Sequence, residues 1–217
     1  PTDSSLLNDG VRVLSRELKR AQEVLSEGVE LVRAVFRDRR RSARRVKRQI
    51  ERAAQQGVTK TKPLYAQLVK IARASVQQAQ WVADQLHQQA EAATQRIAAT
   101  LQTFIDRTRQ VIAQAVRRVF KEESVPAEDK LVSLFEPHTD IIKRGKANRP
   151  TEFGHKVWLD EVDGGIVSDY RILAGNLIDR SLNNLLFPND GDEKLHPSTR
   201  TISSRPTRAP LLVHLAR

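Results

Sequence analysis

Apolar residues recur at three- and four-residue steps from about Leu6 to Glu123, and that spacing predicts amphipathic helices. Asp3 or Ser4 stands where it would cap a first helix. After an interruption at Gly10 the stripe returns through Leu14, Leu18, Ala21, Leu25, Val32, Val35, Val46, Ile50 and Ala53. Gly57 to Pro63 then breaks it: Gly57 suits the residue just past a helix end, Thr61 a cap and Pro63 a first turn. A second helix carries Leu64, Leu68, Ile71, Ser75, Ala79, Val82, Leu86, Ala90, Ala93, Ile97, Leu101, Phe104, Thr108, Val111, Ala115 and Val119 along one stripe. Its mean step of about 3.67 residues predicts a nearly straight rod on the order of 85 Å long. Such a rod either packs back on residues 11–56 or projects as an arm.

The pattern changes at Ser124-Val125-Pro126. KLVSLF at 130–135 alternates like a strand, and GHKVWLDEV and GGIVSDYRIL flank the hairpin signal Asp163-Gly164-Gly165. A small antiparallel meander is expected, ended by Gly175-Asn176, with Asp179 capping a short amphipathic run through Leu182, Leu185 and Leu186. From about Pro188 the composition shifts again. No acid follows Glu193, while Arg200, Arg205, Arg208 and Arg217 alternate with Pro197, Pro206 and Pro210. That stretch reads as a disordered basic tail or as the product of a shifted reading frame. The expected organisation is therefore a helical region over 1–123, a β region over 124–187 and a tail over 188–217, an α+β class.

Length and composition narrow the chemistry. With 217 residues and 39% hydrophobic content the chain can bury a core, and with no cysteine it can form neither a disulfide framework nor a thiolate zinc site. It holds no methionine, which reads as a fragment of a longer product. No run approaches the roughly 18 apolar residues of a membrane span, and the first residues lack the order of a signal peptide. A soluble, cytoplasmic protein is expected, without a membrane partner.

Charge points to a partner. Between Arg33 and Arg52, ten cations face only Asp38 and Glu51, which places +8 of the chain's formal +11 in one stretch. Such a helix repels itself unless an anion neutralises it, and a phosphate backbone is the usual partner. The bland alternative is a solvated face that keeps the helix soluble. Arg37, Arg39, Arg40, Arg41, Arg44, Arg45, Lys47 and Arg48 are the candidate DNA contacts. Aromatics are scarce there, with only Phe36 adjacent, so stacking on bases finds little support. A second cluster, Lys143, Arg144 and Lys146 with Arg149, sits between two predicted strands and either grips phosphate or forms a solvated turn.

Other chemistries fare less well. His87, His138, His155, His196 and His214 are isolated, and no GxxxxGK[ST] loop occurs. Asp140, Asp160, Asp163, Asp169 and Asp179 lie in or beside the strand region, where carboxylates from separate strands hold magnesium in phosphodiester chemistry; turn and cap roles are the ordinary alternative.

Several of these strings occur together in one family. Pro1-Thr2-Asp3 with Leu6-Leu7, Phe135-Glu136-Pro137-His138-Thr139-Asp140, Phe153-Gly154-His155-Lys156, and Gly175-Asn176 followed by Asp179 resemble insertion-sequence transposases of the DDE class. The resemblance covers residues 1–20 and 130–182. It implies an incomplete ribonuclease-H-like antiparallel meander from which residues 11–123 leave as a helical insertion. It also implies a homo-oligomeric bacterial enzyme, nucleoid-associated, that cuts element ends and joins them to target DNA using Mg2+ or Mn2+ held by three acids. The first acid belongs upstream of Pro1, and the second belongs to an Asp-Arg-Gly strand after the Asp179 region. Neither later motif is present, so this piece is expected to hold no metal and not to cut DNA. His155 and Lys156 are implied neighbours of the active site, and Asp140 is an outside candidate. The competing reading is a non-catalytic helical DNA-binding or scaffold protein.

Overall fold

Thr2 starts the first helix: its hydroxyl accepts the backbone N–H of Ser5 at 3.3 Å, and its carbonyl accepts that of Leu6 at 3.1 Å. The cap thus lies just before Asp3 and Ser4, the residues that the sequence favours. The computed structural model describes residues 2–24, 36–143, 151–162, 166–173 and 211–215. In it the chain forms two compact units, Pro1–His138 and Thr139–Arg217.

The first unit contains helices α1 (Asp3–Val24), α2 (Arg40–Ala54), α3 (Val58–His87) and α4 (Ala92–Val119). α1, α3 and α4 pack against one another, and α2 lies on α1 and α3. Their shared core includes Leu7, Leu14, Leu68, Leu86, Leu101 and Ile105, each fully buried. Gly10 does not interrupt α1. It lies within the helix at a close crossing, where an added Cβ would stand 2.7 Å from the Thr108 hydroxyl oxygen of α4. Leu25, Val32 and Val35 lie outside the described residues.

The expected single rod is two helices. α3 stops at His87, and residues 88–91 turn the chain back into α4. Gln95 holds this turn: its side-chain amide donates to the carbonyls of His87, at 3.2 Å, and Gln89. Thr94 adds a bond from its hydroxyl to the Glu91 carbonyl at 2.7 Å. The predicted stripe fails at this point, since Ala90 and Ala93 are exposed. Gly57, with φ +105°, ends the α2–α3 connection, and α3 begins at Val58, so Pro63 lies inside the helix instead of in its first turn.

KLVSLF is not a strand. Leu131, Val132 and Leu134 are buried in an irregular segment of the first unit, whose backbone finds side-chain partners in place of a neighbouring strand. The Leu131 N–H donates to Gln114 at 3.0 Å, and Arg107 donates to the Leu134 carbonyl at 2.6 Å. Ser133 accepts the N–H groups of Phe135 and Glu136.

The second unit holds the antiparallel meander β1 (Asp140–Lys143), β2 (Thr151–Val162) and β3 (Ile166–Leu173). β2 and β3 are the predicted hairpin, with an irregularity between Asp160 and Glu161. Its turn residues, Asp163 to Gly165, lie outside the described residues, as do Gly175, Asn176, Asp179 and the run through Leu186. A fourth strand, β4 (Leu211–Leu215), pairs antiparallel with β2 over His155 to Leu159. These five residues fall within the expected tail, and the apolar run Leu211-Leu212-Val213 supplies their strand character. The chain is therefore mostly helical with a small antiparallel sheet, an α+β fold.

Candidate nucleic-acid interface

α2 is attached by a narrow seam and is mostly basic elsewhere. Ala43, Val46 and Ile50, spaced three and four apart, are its buried side chains. At about 100° per residue, Arg41, Arg44, Arg45, Arg48 and Arg52 fall on the opposite side of the helix, and all five are exposed. The stripe extends roughly 16 Å along the axis. Among the described residues none of these five guanidinium groups has a carboxylate partner. The two acids of the segment are engaged elsewhere: Asp38 binds Arg40 at 2.7 Å and Glu51 binds Lys47 at 2.6 Å. The Arg40 contact holds the Asp38 carboxyl below its ordinary range.

Arg39 has a different task. It is half-buried and donates to the Gln78 side chain on α3 and to the Arg37 carbonyl at 3.1 Å, anchoring the start of α2. Burial and the nearby Arg37 push its guanidinium below the usual arginine value. Arg37 itself is exposed ahead of the helix. The predicted contacts thus divide into an anchor, two acid-paired flanks (Arg40 and Lys47) and an unpaired stripe.

An open groove of about 800 Å³ runs between α1 and α2, with Asn8 and Arg12 on one wall and Arg41, Arg44, Lys47 and Arg48 on the other. Arg12 also meets Phe135, a residue that the alternation at 130–135 predicts in a strand: its guanidinium stands 6.0 Å from the Phe135 ring, and Phe135 meets Phe104 in an edge contact at 5.9 Å. Arg107 lies 5.6 Å from the Phe104 ring. Phe135 is 48% exposed. Only tertiary packing brings it to Arg12, 123 positions away in sequence, so local composition around α2 carried no signal for it.

In the sheet unit, Asp140 is the register partner of Gly154, and its carboxylate lies 3.8 Å from Nδ1 of His155. Lys156 is buried. Asp160 and Asp169 are register partners on β2 and β3. Asp160 lies six residues from Gly154 along β2, about 20 Å in an extended strand, so the two places do not converge. Among the described residues no group of three or more His, Asp or Glu could hold a metal ion. The side chain of Lys143 and all of Arg144, Lys146 and Arg149 lie outside the described residues, as do Asp163 and Arg33.

Compared with known proteins, the chain matches no family, no curated protein and no solved structure. Among the described residues no helix is long and apolar enough to cross a membrane.

Proposed function

We propose that this chain is a DNA-binding piece of a DDE-class transposase, with α2 as its contact to the phosphate backbone. The observation that carries the DNA contact is the exposed, carboxylate-free arginine stripe opposite the seam of α2. Duplex DNA presents one negative charge per about 1.7 Å of axis, so the length of the stripe spans roughly ten phosphates. The strings shared with the transposases supply the enzyme class. The antiparallel order β1-β2-β3 supports reading the sheet as an incomplete ribonuclease-H-like domain, and a homo-oligomer on DNA and a place at the bacterial nucleoid follow from the same class. Mg2+ or Mn2+ would serve the intact enzyme. Among the described residues no three of His, Asp or Glu gather into a group that would hold such ions, and no catalytic step is assigned to this chain.

A salt titration of duplex affinity tests the contact. The logarithm of affinity should fall with the logarithm of salt at a slope of about −4, and Arg44→Ala with Arg48→Ala should flatten it by about 2. A salt-independent affinity would dismiss the contact. A non-catalytic helical DNA-binding or scaffold protein is the second reading, supported by the place of the arginine stripe within the helical unit alone. Neighbouring nucleotide sequence separates the two: an Asp-bearing strand ahead of Pro1 and an Asp-Arg-Gly strand after about Leu186 belong to the first alone.

A further inference from the structure

We infer that Phe135 is a stacking platform for one unpaired base, placed beside the arginine groove so that the protein prefers DNA with a short single-stranded extension over blunt duplex. This rests on the phosphate-binding role of α2 and adds to it the class of DNA end recognised.

Four observations combine. Phe135 is 48% exposed next to the fully buried Leu134, and Ser133 fixes the backbone that presents it by accepting the N–H of Phe135 at 3.3 Å. Phe104 braces the ring at 5.9 Å with an interplanar angle of 63°, an edge-to-face pair that fixes the orientation of the Phe135 ring. Arg12 lies at the outer range of a cation–π contact, at 6.0 Å, on an exposed side chain that also pairs with Asp9 at 3.3 Å. Arg12 also lines the α1–α2 groove with Arg41, Arg44 and Arg48, so one side chain links the ring to the groove.

Sequence-tolerant binding of single strands uses this pairing of a cationic groove with an aromatic face, each stacked base strengthening binding by roughly 5- to 150-fold. A paired base inside a duplex hides both faces and gains nothing from Phe135. An unpaired base next to a duplex end gains the stack while α2 holds the adjoining phosphates. A ring that served only to cover the core rim would be indifferent to the form of the DNA.

The test is fluorescence anisotropy of the full chain with two probes at one salt concentration: a blunt duplex, and the same duplex with a three-nucleotide extension. Wild type should bind the extended probe on the order of tenfold more tightly. Phe135→Leu keeps an apolar contact for Phe104 but removes the flat face; it should lose the preference for the extended probe. Phe135→Trp should keep or increase it. Circular dichroism melting confirms that each variant is folded. If wild type shows no preference, or Phe135→Leu retains it, the stacking role is overturned while the α2 contact stands. If neither probe binds, or if Arg44→Ala with Arg48→Ala leaves both affinities unchanged, the α2 reading falls and takes this inference with it.

Discussion

Gly10 of α1 and Thr108 of α4 meet so closely that a methyl group on Gly10 would stand 2.7 Å from the threonine hydroxyl and 2.9 Å from its methyl. The hydroxyl is held in place by the Phe104 carbonyl at 2.6 Å, so it cannot simply turn away. Gly10→Ala should therefore destabilise the helical unit by about 1–2 kcal/mol, overpacking outweighing the better helix propensity of alanine. Adding Thr108→Ala should recover most of that loss in urea denaturation. A Gly10→Ala chain as stable as wild type would refute the close crossing.

A buried polar chain joins three distant segments. Gln114 donates to the Asp3 carboxylate at 2.6 Å and accepts the Leu131 N–H at 3.0 Å, while Arg118 binds the other carboxylate oxygen at 2.9 Å. Gln114→Leu leaves a carboxylate oxygen and an N–H without their partner and should cost about 3 kcal/mol, more than an ordinary surface change. Chemical denaturation measures it. A loss within about 0.5 kcal/mol, the usual surface effect, would show that the network contributes nothing.

Tyr65 should make the unit sensitive to alkali. Burial raises its phenol above the ordinary 10.0, with the Asp3 charge adding to the rise and hydrogen bonding to Ser4 and the Arg118 charge opposing it. A raised folded value means that the stability is complete below the unfolded value near 10 and is lost as pH climbs from there through the folded value. Denaturation midpoints from about pH 9 to 11 should fall more steeply in wild type than in Tyr65→Phe. Parallel curves would exclude the phenol as the cause.

Arg45→Glu should move stability and binding in opposite directions. The new carboxylate would lie one turn from Arg41 and from Arg48, giving two attractive helical pairs worth about 0.5–1 kcal/mol together in place of repulsion. The same change removes positive charge from the stripe, so duplex affinity should drop by at least tenfold and the salt slope should flatten by about 1–2. A higher melting temperature with undiminished affinity would place the DNA contact elsewhere.

What could be read from the residues depended on whether the signal was local. The seam Val46 and Ile50, the break at Gly57 and the β2–β3 hairpin follow from spacing and turn residues within a few positions. The α3–α4 turn was invisible because it holds neither glycine nor proline; Gln95 closes it with a side-chain amide, and glutamine is equally at home inside a helix. The segment 130–135 has strand-like alternation, yet its partners are Gln114 and Arg107 on a helix. Of the candidate interface, the arginine stripe was legible as charge. Its division into the Arg39 anchor, the acid-paired Arg40 and Lys47 and the unpaired five needed positions in space, as did the meeting of Arg12 with Phe135.

The slender attachment of α2 has a consequence for the proposed phosphate contact. Three modest side chains, Ala43, Val46 and Ile50, secure a helix whose outer surface pushes itself apart. Whatever the stripe clasps therefore also clasps the stripe: bound phosphate relieves the mutual repulsion and tightens the helix against its neighbours by linkage. Amide hydrogens of α2 should then exchange more slowly in the presence of DNA, while those deep in α4 keep their pace.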